Sequence, residues 1–174
     1  MVEEAFRWQA YTPGLAIVDV VAAGPGRGGV TVRDEMTALR SEGVDVLVCA
    51  LTPPELQETG LGAEAQAARE AGLHFVAIPV PDRDVPDLPT VLPALRELAE
   101  RLRVGAHVVT HCRFGIGRAS LLAAALLILN GVTPDTAWQQ LQHTRGLPVP
   151  DTVEQREWTT ALLKHLPLGR SDST

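Results

Sequence analysis

The stretch VVTHCRFGIGR spans residues 108–118 and joins an apolar run to a glycine-containing turn and then to a helical pattern. The apolar run is typical of a buried strand, and the helical pattern begins at Arg118. Glycines at 115 and 117 let the backbone curl so that successive N–H groups face inward, and the helix N-terminus adds partial positive charge. The stretch therefore predicts a strand, a loop that binds a phosphoryl-like anion, and a helix, in that order.

Two side chains give this loop a chemistry. Cys112 lies at its start, where the positive field of the loop would stabilise a nucleophilic thiolate at neutral pH. Arg118 follows six positions later and can return across the mouth of the loop to hold two phosphoryl oxygens, a geometry that lysine lacks. A buried structural cysteine is the alternative for Cys112. The rest of the predicted phosphate site consists of Arg113, Phe114, Gly115, Ile116 and Gly117.

Apolar runs alternate with helical patterns along most of the chain. The runs that predict buried strands are Leu15–Val21, Val44–Leu51, Leu73–Val80 and His107–His111. The predicted helices are Arg33–Glu42, Ala63–Ala71, Leu92–Leu102, Arg118–Leu129, Pro134–Thr144 and Thr152–His165. This order predicts an α/β fold: a mostly parallel central sheet of four to five strands, flanked by helices, with a helical C-terminal third.

Length and composition indicate a single soluble domain. The 174 residues fit one domain over residues 1–169, with a polar tail at 170–174. No apolar run is long enough to span a membrane, and the acidic N-terminus is unlike a secretory signal, so we expect a cytoplasmic protein. The formal net charge of −6 argues against nucleic-acid or membrane partners.

The cysteines and histidines indicate neither a disulfide framework nor a metal site. Cys49 and Cys112 are the only cysteines, too few for such a framework, and they suit a reducing compartment. The histidines outside the quoted stretch show no metal-ligand spacing with either cysteine; they are His74, His107, His143 and His165. We therefore expect no metal and no cofactor.

A second motif offers an acid. Cleavage of a phosphate ester requires a proton for the departing oxygen, so a carboxylic acid is expected on a loop that faces the phosphate site. The stretch IPVPDRDVPD at residues 78–87 follows a predicted strand and is stiffened by three prolines. It carries Asp82, Asp84 and Asp87.

These motifs resemble a known family. HCRFGIGR at residues 111–118 resembles the HCxxGxxR signature of cysteine-based protein phosphatases, and the Pro-x-x-Asp-x-x-x-Pro spacing from Pro79 to Pro86 resembles that of kinase-associated-phosphatase-like dual-specificity enzymes. The resemblance extends from LRSEGVDVLVCALTPPEL to HTRGLPVPDTVEQREW. It implies a protein-tyrosine-phosphatase-like fold and a phosphomonoester hydrolase that acts on phosphorylated proteins or peptides through a phosphocysteine at Cys112.

The resemblance also implies roles for single residues. His111 would support the thiolate, with a satisfied strand-end histidine as the alternative. Asp82 matches the family's general acid, and Asp84 is the second candidate. Gln155 would orient the attacking water, unless it is an ordinary exposed helix residue. Cys49 lies on a strand where some relatives carry a cysteine that traps the oxidised nucleophile; its alternative is a small core residue.

One position departs from the family, and rival functions remain open. The family has Ser or Thr directly after the arginine, where a hydroxyl assists departure of the thiolate, but this chain has Ala119. That departure motivates a phosphate-binding pseudophosphatase as one alternative. A phosphoinositide or RNA 5′-phosphatase is another, favoured by Arg113 and disfavoured by Ile116 and by the acidic total charge. Gly24–Gly29 matches a dinucleotide-binding pattern, but no clear helix pattern follows it, so we expect a loop there.

Overall fold

The computed structural model describes residues 8–12, 15–18, 31–113, 117–146, 148–150 and 152–166. The strands within them are β1 Trp8–Thr12, β2 Leu15–Val18, β3 Val46–Cys49, β4 His74–Ala77 and β5 Val108–His111. The helices within them are α1 Val32–Ser41, α2 Pro53–Glu58, α3 Glu64–Glu70, α4 Leu88–Arg103, α5 Arg118–Leu129, α6 Pro134–Arg145 and α7 Val153–Ala161, and a 3-10 turn at Leu162–His165 follows α7. Gly24–Gly29 and the tail 170–174 lie outside the described residues.

The strands form one sheet in the order β1-β2-β5-β3-β4. β1 pairs antiparallel with β2, whereas β2, β5, β3 and β4 are parallel. The mostly parallel α/β fold with a helical C-terminal third is therefore confirmed. Because the carboxyl ends of parallel strands lie at one edge of a sheet, the segments that follow β3, β4 and β5 meet there, as ligand-binding segments do in open α/β sheets.

The structure differs from the predicted elements at three places. Trp8–Thr12 forms β1 although it contains no continuous apolar run. Pro53–Glu58 forms the short helix α2, which was not among the predicted helices; Thr52 and Glu55 form a capping box at its start. α4 begins at Leu88, four residues before the predicted start, because Asp87 caps it and a proline is tolerated in a first turn.

Helices cover both faces of the sheet. On one face α1 and α3 bury a cluster that includes Met36, Leu39 and Leu47. On the other face α4, α6 and α7 pack around α5, and eleven of the twelve residues of α5 are buried. A helix that is apolar on every side is typical of such a central position. Thr110 Oγ1 in β5 donates to the Ala119 carbonyl in α5 at 3.0 Å, so the loop between β5 and α5 is fixed at both ends.

Within the described residues, no helix combines the length and the apolar character that crossing a bilayer requires.

Candidate active site

The predicted phosphate loop lies at the carboxyl edge of the sheet. Cys112 directly follows β5 and is 5% exposed, and Gly117 caps α5, which begins at Arg118. The Arg113 side chain is partly exposed, with Nη1 3.3 Å from Glu58 Oε2 in α2. Nucleophile and clamp candidates thus stand at the two ends of one short loop. Three predicted members of the site lie outside the described residues: Phe114, Gly115 and Ile116.

Arg118 is held in place by neighbours on two other segments. Its Nη1 and Nη2 donate to the two carboxylate oxygens of Glu55 at 2.7 and 2.8 Å. Nη1 also donates to the carbonyl of Val80 at 2.8 Å. These bonds use three of the five guanidinium N–H groups, and no hydrogen bond within the described residues uses the Nε–H or the second Nη2–H. A guanidinium that is 2% exposed and held in this way is oriented before any ligand arrives.

Glu55 is a site residue that the sequence did not reveal. It lies in α2, directly after β3, and Oε2 also accepts from the backbone N–H of Thr52 at 3.0 Å. The hydrogen bond from Arg118, helped by those from Thr52, outweighs burial and lowers the pKa of Glu55 to about 2. The carboxylate is therefore ionised at neutral pH, where it pairs with the Arg118 guanidinium. The capping box that Glu55 forms with Thr52 explains its place in the helix but gives no sign of its contact with Arg118.

The three aspartates after β4 have three different environments. Asp82 Oδ1 lies 3.6 Å from Arg118 Nη2, and its side chain is 61% exposed. Asp84 Oδ1 accepts from the backbone N–H of Val85 at 2.8 Å and so stabilises its own turn. Asp87 caps α4, where its side chain accepts from the backbone N–H of Thr90. Of the three, Asp82 is the carboxylate beside Arg118, the predicted phosphate-binding side chain.

The loop that carries Asp82 is anchored to α7. Gln155 Nε2 donates to the carbonyl of Asp84 at 3.2 Å, and Trp158 Nε1 donates to the carbonyl of Pro86 at 2.8 Å. Gln155 is completely buried, so the alternative of an ordinary exposed helix residue is wrong. The predicted water-positioning residue therefore contacts the loop that holds the predicted acid.

His111, the last residue of β5, is completely buried, and its partner is Glu64 at the start of α3. Nε2 of His111 contacts Oε1 of Glu64, and Nδ1 lies 3.4 Å from the carbonyl oxygen of Cys112. The donor atoms of Cys49, Glu64 and His111 lie within 4.8 Å of one another. Because Glu64 already occupies Nε2, we interpret this group as a buried ion pair with a neighbouring thiol. Sequence spacing gave no sign of Glu64.

Residue 119 is an alanine and has no hydroxyl, and the hydroxyl of Ser120 makes no hydrogen bond among the described residues that would replace it. Ala119 is completely buried, and its carbonyl accepts from Thr110. Ser120 Oγ is also buried and has no hydrogen-bond partner among the described residues. The departure from the family pattern noted in the sequence is therefore not compensated by a visible contact of the next residue.

Cys49 lies on the strand next to the loop. β3 pairs with β5, and Cys49 is in register with His111, so the strand that carries Cys49 is a neighbour of the strand that leads into the loop. Cys49 packs among the residues under α1 and α3, whereas Cys112 packs in the cluster on the other face. No disulfide joins them. A redox role for Cys49 stays a prediction.

Comparisons with known proteins agree with this geometry. Residues 21–132 match a family model described as "Polymorphic toxin system, DSP-PTPase phosphatase". The chain is 26% identical to cyclin-dependent kinase inhibitor 3 of Rattus norvegicus over 126 residues, 71% of this chain but 59% of the relative, so it spans about three fifths of that protein. To the human protein of that name it is 26% identical over 148 residues, 82% of this chain and 70% of the relative.

Solved structures share the fold. Kinase associated phosphatase with a serine in place of its catalytic-site cysteine superposes with a TM-score of 0.79 at 20% identity, over 92% of this chain and 94% of that one. The active form of Tk-PTP superposes with a TM-score of 0.72 at 22% identity, over 91% and 97% of the two chains. At such identity these structures support the fold alone, whereas the family model covers more than half of the chain. The chain therefore belongs to the DSP-PTPase phosphatase family of polymorphic toxin systems.

Proposed function

We propose that the protein is a protein-tyrosine or dual-specificity phosphatase that hydrolyses phosphomonoesters on proteins or peptides through a phosphocysteine intermediate. The observation that carries this proposal is the arrangement of one loop: Cys112 at the end of β5 and a pre-oriented Arg118 at the start of α5, with Asp82 beside that arginine. Membership of a family of DSP-PTPase phosphatases supports the same class of reaction.

The first chemical step would transfer the phosphoryl group to the enzyme. The Cys112 thiolate attacks phosphorus, the bond to the ester oxygen breaks, and the departing oxygen takes a proton from Asp82. The Nε–H and the remaining Nη2–H of Arg118 would donate hydrogen bonds to two phosphoryl oxygens and stabilise their negative charge during the transfer. Glu55 contributes by fixing the guanidinium plane from the opposite side.

The second step would return the enzyme to its starting state. Water attacks the phosphocysteine, its proton passes to the Asp82 carboxylate, and phosphate and the thiolate are released. Gln155, whose Nε2 donates to the carbonyl of Asp84 two residues after Asp82, is the residue that we propose orients this water. The chemistry needs side chains of this chain and water alone.

The rival substrates are less well supported. A phosphoinositide or RNA 5′-phosphatase would use Arg113 as a second cationic contact, but that side chain lies 3.3 Å from the carboxylate of Glu58. The net charge of −6 also disfavours polyanionic substrates. We therefore favour a phosphorylated protein or peptide.

Trapping the intermediate tests the proposal. Wild-type protein in EDTA should hydrolyse p-nitrophenyl phosphate, and acid quenching within the first turnover should leave a phosphoryl group on the peptide that contains Cys112, found by mass spectrometry. A hydrolysis that needs an added divalent cation, or a phosphoryl group on another residue, would contradict the proposal, and so would binding of phosphate without turnover.

Ala119 makes the second step the slow one. Rapid mixing with p-nitrophenyl phosphate should show a burst of about one equivalent of product per site, followed by slower turnover. Ala119→Ser should raise the steady-state rate by about tenfold, because a hydrogen bond to a charged leaving group contributes about 1.5 kcal/mol. A linear time course that this substitution leaves unchanged would mean that another group, such as Ser120 or Gln155, already assists the leaving thiolate.

Cys49 gives a prediction about oxidation. In the β3–β5 register Cys49 faces His111, so the Cys112 Cα lies one residue further along, at about 6 Å given the usual strand spacings. That distance is within the limit for a disulfide, although the two side chains begin on opposite faces and the loop would have to turn. Mild peroxide should therefore inactivate the wild type in a way that dithiothreitol reverses, and Cys49→Ser should make the loss irreversible. Equal recovery of activity by both proteins after dithiothreitol would mean that Cys49 is only a packed core residue.

A further inference from the structure

Behind the phosphate loop lies a cluster of four buried ionisable side chains, which we call the rear cluster. Glu35 comes from α1, Cys49 from the end of β3, Glu64 from the start of α3 and His111 from the end of β5. Each is at most 1% exposed. Among the described residues, no lysine or arginine pairs with these two carboxylates. Because charge buried without compensation is costly, the proton positions in this cluster are constrained.

His111 lies between two hydrogen-bond acceptors. A carboxylate oxygen of Glu64 faces Nε2, and the carbonyl oxygen of Cys112 faces Nδ1 at 3.4 Å. A neutral imidazole has one N–H and can donate to one of them, whereas an imidazolium donates to both. The arrangement therefore favours His111 protonated on both ring nitrogens, with Glu64 as its counter-ion. The Glu64–His111 ion pair carries no net charge, but its positively charged member, His111, lies next to Cys112.

The other members of the rear cluster fit this distribution of protons. Burial, reinforced by the charge of Glu64, raises the pKa of Glu35 to about 7, so Glu35 is neutral under acidic conditions and does not compete for the imidazolium. Burial by itself would lower the pKa of His111, but the charge of Glu64 and the contacts with Cys49 and Glu64 outweigh it, so that pKa lies well above its usual value. Both oxygens of Glu35 and Oε2 of Glu64 have no hydrogen-bond partner among the described residues.

We propose that Glu64 is a positioning residue for Cys112: it holds His111 as an imidazolium, whose ring orients the peptide carbonyl of Cys112 and whose charge stabilises the thiolate in the loop. Glu64 touches neither substrate nor the reacting atoms and acts through His111. The proposal rests on the function proposed above in that Cys112 is taken as the nucleophile.

The test measures the pH dependence of Cys112 alkylation. Iodoacetamide should label the peptide that contains Cys112 with a midpoint about one pH unit higher in Glu64→Gln than in the wild type, because an opposite charge nearby shifts such equilibria by about that much. Labelling at pH values below the wild-type midpoint should then be about tenfold slower, and the limiting rate at high pH should be unchanged. Glu70→Gln, which removes the same charge from the exposed end of α3, should leave the midpoint where it is.

Two further measurements keep the proposal falsifiable if Glu64→Gln folds poorly. Nitrogen-15 chemical shifts of the wild-type histidines should show His111 doubly protonated at pH 7.5, where ordinary histidines are mostly neutral. Glu35→Gln should shift the alkylation midpoint less than Glu64→Gln does, because it leaves the Glu64–His111 contact intact. A neutral His111, an unchanged midpoint in folded Glu64→Gln, or an equal shift in Glu35→Gln would each overturn the proposal. Loss of the proposed function would instead appear as absent turnover in the wild type, which none of these readouts requires.

Discussion

Replacing Cys112 with serine is expected to abolish hydrolysis of p-nitrophenyl phosphate, with a loss of about 10⁴-fold or more in kcat. In the proposed mechanism the Cys112 thiolate is the nucleophile, whereas a serine hydroxyl keeps its proton at neutral pH. Cys112 is 5% exposed and lies at the start of the loop. The substitution replaces its sulfur atom by oxygen and leaves Arg118 and Glu55 in place.

Binding separates this loss from misfolding. Cys112→Ser should retain affinity for vanadate or phosphate, because the anion would be held by backbone N–H groups and by Arg118 rather than by the sulfur. Isothermal titration and a thermal melt of both proteins measure this. Turnover of Cys112→Ser within about tenfold of the wild type, in a preparation free of other phosphatases, would show that the nucleophile lies elsewhere.

The parts of the site that are local in sequence could be predicted. Cys112 and Arg118 lie within one turn and one helix start, so their spacing alone carries the geometry of an anion site. The fold could also be predicted, because continuous apolar runs alternating with helical patterns leave few arrangements other than a parallel sheet. Asp82 was selected from three aspartates by resemblance, and its ion-pair distance from Arg118 now supports that choice.

The partners of the site residues could not be predicted, for a physical reason. Glu55 and Glu64 are 63 and 47 residues away from Arg118 and His111, and no periodicity relates them. Both glutamates also lie in the first turn of a helix, where an acid is common because it caps the helix or complements its dipole. In the sequence, capping or the helix dipole is a sufficient explanation for both glutamates. Their contacts with Arg118 and His111 become apparent only when the helices are packed on the sheet.

The identity of the general acid can be decided with two isosteric substitutions in one loop. Asp82→Asn should lower kcat by about 10²- to 10³-fold for alkyl phosphates and aryl phosphates with poor leaving groups, because these need a proton as the ester bond breaks. The loss should be much smaller for p-nitrophenyl phosphate, whose phenolate leaves without one. The fall of the wild-type rate at high pH, caused by ionisation of the acid, should disappear in Asp82→Asn.

Asp84→Asn is the matched control, since its amide oxygen can still accept from the backbone N–H of Val85 and preserve the turn. Its carbonyl would also still accept from Gln155, which keeps the loop attached to α7. This variant should therefore retain the wild-type dependence on leaving group and pH. If the large, leaving-group-dependent loss occurs in Asp84→Asn instead, the acid is two residues further along the loop. The contact between Asp82 and Arg118 would then serve to position the arginine rather than to donate a proton.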